Sequence, residues 1–192
     1  MTRKGFYFDS TRCVGCKTCQ VACKLKNHLP SGVTYRAVAN YQVGEYPKAK
    51  YYHISHSCNH CENPACARSC PTGAMHRNEA DGTVQHNDEV CIGCRSCAMA
   101  CPYGVPVYLE DEGIVGKCNG CIDTREADGA PTCVAACGTR ALEFGDFDEL
   151  QAKHPGAVTK IACLPSDAIT HPSSLVLGGD ALMDESYEDL VL

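Results

Sequence analysis

Sixteen cysteines fall into four runs, and their spacing suits one kind of chemistry. The clearest run is Cys91, Cys94, Cys97 and Cys101 followed by Pro102, spaced C-x2-C-x2-C-x3-C-P. Three thiolates at that spacing wrap one corner of an iron–sulfur cube, each taking one iron. The fourth sits about one helical turn further on, points away, and ligates a neighbouring cube. A second cluster is therefore implied nearby. Three further runs are present: Cys13, Cys16, Cys19, Cys23; Cys58, Cys61, Cys66, Cys70; and Cys118, Cys121, Cys133, Cys137. The second run carries two extra residues before Cys66 but keeps the x3-Cys-Pro ending. In the fourth, Ile122 to Thr132 displaces the third ligand. Cys23 and Cys137 lack the following proline, so runs one and four are the natural partners of each other.

The crossed fourth ligand predicts four metal sites. One is Cys13, Cys16, Cys19 with Cys137; its neighbour is Cys118, Cys121, Cys133 with Cys23. The other pair is Cys58, Cys61, Cys66 with Cys101, and Cys91, Cys94, Cys97 with Cys70. All sixteen are expected to hold cofactor. Zinc ribbons draw two cysteines from each of two C-x2-C knuckles, whereas runs one and three place three thiolates in one loop. A disulfide framework is rejected because nothing in oxidative pairing requires groups of four and no apolar leader opens the chain. Cys163, in an apolar stretch, is expected to be a packed thiol. His56 and His60 flank Cys58; with the cysteine set complete they are read as packing or outer residues. Arg95 and Lys117 adjoin ligands, either to tune them electrostatically or as ordinary hydrogen-bond donors.

The elements that position these runs are short. The chain has 192 residues, 17 cysteines, no tryptophan and 7% aromatics. A conventional core would be thin, so clusters are expected to replace part of it and folding to depend on metal. Phe6-Tyr7-Phe8 predicts a strand into the first run, and Lys17 to Asn27 a short helix after it. Val33, Tyr35, Ala37, Ala39, Tyr41 and Val43 alternate with mostly polar residues, which predicts a half-buried strand or hairpin. Tyr51 to Ser55 and Gly82 to Gln85 lead as strands into the second and third runs. Asp146 to Glu149 resembles a capping box opening a helix that ends near His154.

Charge narrows the function. The net charge is −6; four oxidised cubanes at about −2 each would bring it to roughly −14, which disfavours nucleic acid as a partner. Residues 1–50 hold nine of the 17 Lys and Arg and two acids, read as a docking surface or as a solvated face shielding the clusters. Residues 161–192 hold six acids and no Lys or Arg, read as a tail over the protein or a partner, or as solvated surface. No stretch is long and apolar enough to span a membrane. No nucleophile elbow, P-loop, GxGxxG or H-E-x-x-H occurs. The chain is expected to be no enzyme by itself, its chemistry being one-electron transfer. The fold expected is α+β: two pseudo-symmetric bacterial-type two-cluster ferredoxin modules, one inserted in the other, with extended loops and a C-terminal tail. The outer module takes residues 1–50 and 113–150, the inner one 51–112, and 151–192 form an acidic extension.

The stretches Ser10 to Cys19, Ser57 to Cys66 and Cys91 to Arg95 resemble the iron–sulfur subunit of the dimethyl sulfoxide reductase family of molybdopterin oxidoreductases. The likeness covers roughly residues 5–165. It implies four [4Fe–4S] clusters and a non-catalytic wire of anaerobic respiration. It also implies two kinds of partner: a molybdopterin-guanine-dinucleotide catalytic subunit, and a membrane anchor or soluble donor. Nitrate-reductase relatives carry a tryptophan where Cys94 stands, so Cys94 implies a full fourth cubane here. The resemblance implies a cytoplasmic or partner-tethered location, or export with a twin-arginine partner. The rival is a free polyferredoxin, or the wire of a hydrogenase or formate-linked complex.

Overall fold

The computed structural model describes residues 3–190. Strand β1 (Lys4–Asp9) carries Phe6, Tyr7 and Phe8 into the core, all three buried. It is the centre of a three-stranded sheet. β8 (Leu142–Asp146) pairs with it antiparallel, Phe6 opposite Phe144, and β9 (Ser174–Leu177) pairs parallel, Tyr7 opposite Leu175. A strand buried on both faces reads as a continuous apolar run rather than an alternation, which is what Phe6-Tyr7-Phe8 shows.

A second sheet holds β2 (Ala37–Val43) and β3 (Lys50–His56) as an antiparallel hairpin, with β10 (Glu188–Leu190) on the other edge of β2. Tyr41 faces Tyr52, their rings 5.3 Å apart. The alternation expected over 33–43 is only partly realised. The strand begins at Ala37, and Val38 and Asn40 are buried along with Tyr41 and Val43. β2 is the central strand, paired along both edges, and it buries Val38 and Asn40 on one face and Tyr41 and Val43 on the other. Two small hairpins complete the β structure: β4 (Met75–Arg77) with β5 (Val84–His86), and β6 (Val107–Leu109) with β7 (Ile114–Gly116).

The helices are short, and the first four each open inside a cysteine run. α1 (Thr18–Lys26) and α3 (Ser96–Ala100) start after residues in the left-handed region, Lys17 and Arg95. α2 (Ala65–Arg68) and α4 (Thr132–Ala135) follow Pro64 and Pro131, whose fixed φ favours entry into a helix. α1 packs on α4, and α2 packs on α3. α5 (Phe147–Lys153) begins where the Asp146 carboxylate accepts from the Asp148 and Glu149 amides at 3.1 and 3.3 Å.

The core is built on sulfur as much as on hydrocarbon: Cys19, Cys58, Cys118 and Cys133 pack with Phe6, Phe8, Ile54 and Leu142. The acidic C-terminal stretch is woven into the protein rather than left as solvated surface. It supplies β9 and β10, and Leu175, Val176 and Leu182 are buried. The fold is α+β.

Candidate metal centres

Two cavities are walled by cysteines from separate runs. Cys13, Cys16, Cys19 and Cys137 line one, closed by Phe8, Val38 and Leu142. Cys70, Cys91, Cys94 and Cys97 line another, closed by Met75 and Val115. The other eight thiols fall into two groups by the charge they impose on each other. Cys23 feels Cys118, Cys133 and Cys121. Cys66 feels Cys101 and Cys61, and Cys58 feels Cys66. Cys58 also feels Cys118, so these two groups adjoin. Among the described residues no three His, Cys, Asp or Glu side chains converge tightly enough for a single ion. Thiolates on the separate irons of a cubane stand further apart than the ligands of a zinc tetrahedron with Zn–S about 2.3 Å.

The surroundings suit anionic sulfur. The Ala141 amide donates to Cys137 Sγ at 3.3 Å, and the Met75 amide to Cys70 Sγ at 3.4 Å. The Gly120 amide donates to Cys118 Sγ at 3.4 Å and the Thr18 hydroxyl to Cys16 Sγ at 3.3 Å. Ser96 Oγ lies 3.4 Å from Cys94 Sγ, the same arrangement in the third run. Hydrogen bonds to sulfur stabilise the thiolate, which is the form that binds iron. An all-thiol donor set with N–H groups aimed at sulfur and apolar walls fits an iron–sulfur cubane.

Burial and hydrogen bonds act on the thiols in opposite directions, burial raising Cys13 and Cys97. Cys16 and Cys94 are exposed, and their pKa values are lowered by the Thr18 and Ser96 hydroxyls and amides. At Cys70 and Cys137 burial pushes upward but the hydrogen bonds prevail, leaving both lowered. At Cys23, Cys58 and Cys66 burial wins. The Cys23 and Cys58 thiols are pushed up to about 12 and Cys66 to about 11. Cations answer that cost: Lys117 acts against the burial of Cys58 and Cys66, and Arg36 against that of Cys23. Lys117 is buried and donates from Nζ to the Val84 and Cys118 carbonyls. Arg95 instead lies over the Tyr108 ring at 3.7 Å.

One backbone position recurs in the first C-x2-C loop of each run. Its residue is Gly15, Gly93 and Gly120 in three runs, with φ of 66, 65 and 67°, and His60 in the second, with φ of 43°. At Gly93 a Cβ would also meet the Gly113 carbonyl oxygen at 2.2 Å. Glycine accepts this left-handed turn freely, while another residue carries strain. His60 is held there by its contacts. It is fully buried, accepts from the Val84 amide at Nδ1 at 3.1 Å, and stacks on Phe6. Burial, then Lys117, drives its pKa well below the usual range, so it is neutral. His56 is likewise driven down to about 4 by burial and Arg36. Cys163 packs against the core, where burial raises the pKa of its thiol.

Sequence reasoning placed Arg36 on a solvated or docking face. It is instead fully enclosed, with 2% of its surface exposed. The buried Asp81–Arg125 ion pair was also missed. A signal for Arg36 lay in its position between Tyr35 and the apolar strand that starts at Ala37.

A model for a 4Fe-4S dicluster domain matches residues 49–147, and one for a 4Fe-4S binding domain matches residues 10–35. Thiol-lined cavities within those spans, on short helices and hairpins, define an iron–sulfur protein of the ferredoxin type. The chain is 47% identical over 184 residues to the B subunit of anaerobic dimethyl sulfoxide reductase from Escherichia coli K12, covering 91% of this protein and 88% of that one. It is 43% identical over 145 residues to the thiosulfate reductase electron transfer subunit PhsB of Salmonella typhi, covering 73% and 74%. It is 39% identical over 149 residues to protein NrfC of Escherichia coli K12, covering 77% and 67%. The chain belongs to the family of the iron–sulfur B subunit of dimethyl sulfoxide reductase. It is a non-catalytic electron-transfer subunit of a reductase, and its cofactors are four [4Fe–4S] clusters. Among the described residues no helix is long and apolar enough to cross a membrane.

Proposed function

We propose that this subunit passes electrons between a quinol-oxidising anchor or a soluble donor and a molybdopterin-guanine-dinucleotide catalytic subunit. The identity to the dimethyl sulfoxide reductase B subunit over nine-tenths of the sequence supports that pairing. An S-oxide or a related small oxidised sulfur compound is the acceptor class that the relatives' names suggest. Its place in the cell follows its partners, on whichever side of the membrane they stand.

The sixteen grouped cysteines are the proposed ligands, in the four crossed sets. When bound, the clusters supply one-electron oxidation and reduction at iron. The chain's own part is to order the sites, bury them and set their charge. The proposed order is Cys70/91/94/97, then Cys58/61/66/101, then Cys23/118/121/133, then Cys13/16/19/137. The observation that carries it is that buried Cys58 and Cys118 share one core cluster and act on each other's charge, while the exposed cysteines, Cys94 and Cys16, belong to the two outlying sets. Electrons enter near one exposed cysteine and leave near the other. The division into an outer module (1–50 and 113–150), an inner module (51–112) and an extension (151–192) is part of the same reading. The packing of α1 on α4 and of α2 on α3 supports it.

The test is affinity purification of the full chain from anaerobic cells. A stoichiometric molybdenum-bearing large subunit is expected. A brown monomer with no large partner would overturn the proposal and favour a free polyferredoxin.

A further inference from the structure

Arg36 is a buried cation without a carboxylate. The guanidinium of the other deeply buried arginine, Arg125, is paired with Asp81. Among the described residues no acid lies within ion-pair distance of Arg36. A buried charge requires an opposite charge or a metal centre to offset lost hydration. The hydrogen bonds of Arg36 go to neutral oxygens: Ser55 Oγ at 3.0 Å, the Ser55 carbonyl at 3.3 Å and Ser57 Oγ at 2.8 Å. Its Nε has no partner in the protein. The guanidinium also lies 4.6 Å from the centre of the Phe6 ring, a neutral apolar wall.

Sulfur is what remains. Ser55 Oγ, which accepts from Arg36, stands 3.4 Å from Cys19 Sγ. A metal-bound thiolate can only accept, so the Ser55 hydroxyl donates to it and relays the charge. On the other side Cys133 is the thiol whose charge acts most strongly on the guanidinium. Cys19 and Cys133 belong to two different proposed sets.

We propose that Arg36 is the shared counter-ion of the clusters held by Cys13/16/19/137 and Cys23/118/121/133, and raises the potentials of both. The proposal rests on the ligand sets assigned above. Each added electron makes a cluster one unit more negative, and a fixed cation in a low-dielectric site favours that reduced state. The direction of the pKa shifts agrees. Burial pushes the arginine's pKa down, the thiolates of Cys133, Cys118, Cys19 and Cys23 push it up, and the rise prevails. Arg36 is thus a positioning and tuning residue, apart from the electron path itself. Ser55 and Ser57 fix its fork.

The test is an EPR-monitored redox titration of the full chain, purified anaerobically with its clusters, for wild type, Arg36→Gln, Arg36→Lys and Ser55→Ala. Iron is counted first. In iron-replete Arg36→Gln two of the four components are expected to become at least tenfold harder to reduce. Tenfold is 59 mV for one electron. The component that disappears in Cys94→Ser is expected to move less than threefold. Arg36→Lys restores most of the shift. Ser55→Ala lowers only one component, that of the Cys19 set. The proposal is overturned if iron-replete Arg36→Gln leaves all potentials in place, moves all four alike, or is matched by Arg36→Lys. If Arg36→Gln cannot retain iron, Ser55→Ala decides: one lowered component supports the proposal and none overturns it. A wild-type count far below about sixteen irons overturns the ligand sets, and the Arg36 proposal with them.

Discussion

Asp81→Asn isolates the energy of one buried ion pair that ties the two halves of the site together. Asp81 lies in the turn between β4 and β5, and Arg125 in the insertion that displaces Cys133. Their side chains are 9% and 6% exposed. Arg125 also donates to the Gly120 carbonyl at 3.3 Å, inside the Cys118–Cys121 loop. Asparagine keeps the Oδ1 that accepts from the Thr83 amide and hydroxyl at 3.0 and 2.6 Å. What it removes is the charge, leaving the guanidinium buried and unpaired. That costs about 3–5 kcal/mol, and each 1.36 kcal/mol of barrier is about tenfold in rate. The assay is the anaerobic rate at which visible cluster absorption bleaches in denaturant, because metal loss makes unfolding irreversible. Asp81→Asn is expected to bleach about a hundredfold faster or more. Asp81→Asn with Arg125→Met, which removes both charges, is expected to recover to within about tenfold of wild type. At Asp81 burial pushes the pKa up, but Thr83 and Arg125 overcome it, so the folded value is depressed. A depressed carboxylate contributes stability above its unfolded pKa of about 3.9 and loses it as pH falls through the folded value. The rate ratio of variant to wild type therefore falls toward one below about pH 4. A single variant within threefold of wild type, or a double variant as fast as the single, would refute the reasoning.

Three further perturbations follow from the geometry. Cys70→Ser is expected to alter the EPR signal of the cluster bound by Cys91, Cys94 and Cys97 while leaving that of Cys58, Cys61 and Cys66 intact; loss of the latter would refute the crossed ligands. Gly93→Ala places a Cβ at 2.2 Å from the Gly113 oxygen in a left-handed backbone, and one cubane's worth of iron should be lost first on exposure to chelator. Asp146→Ala removes the cap of α5 and is expected to cost about 1 kcal/mol, read as a small shift in the denaturant midpoint with unchanged iron.

The cysteine runs were legible because cubane ligation imposes a local spacing that few other constraints produce. β1, α1, β3 and α5 were legible for similar local reasons: an apolar run, a ligand-started helix, a strand before a run, and a capping carboxylate. Arg36 was not, because its role depends on Ser55, Ser57 and Cys133, far apart in sequence. Charge counting placed it on the surface with the other basic residues of the first third. The central place of β2 in its sheet was hidden because β10, which pairs with its other edge, joins from the far end of the chain. His60 could have been singled out by aligning the first C-x2-C loop of each of the four runs. It stands where the other three have glycine, and a histidine in that turn must be held by a contact worth its strain.

The most direct test of a four-cluster wire is iron and acid-labile sulfide analysis of the anaerobically purified full chain, with reductive titration of the same sample. About sixteen irons, about sixteen sulfides and four one-electron equivalents per molecule are expected. Zinc in place of iron, or an iron count that stops near eight, would contradict the account.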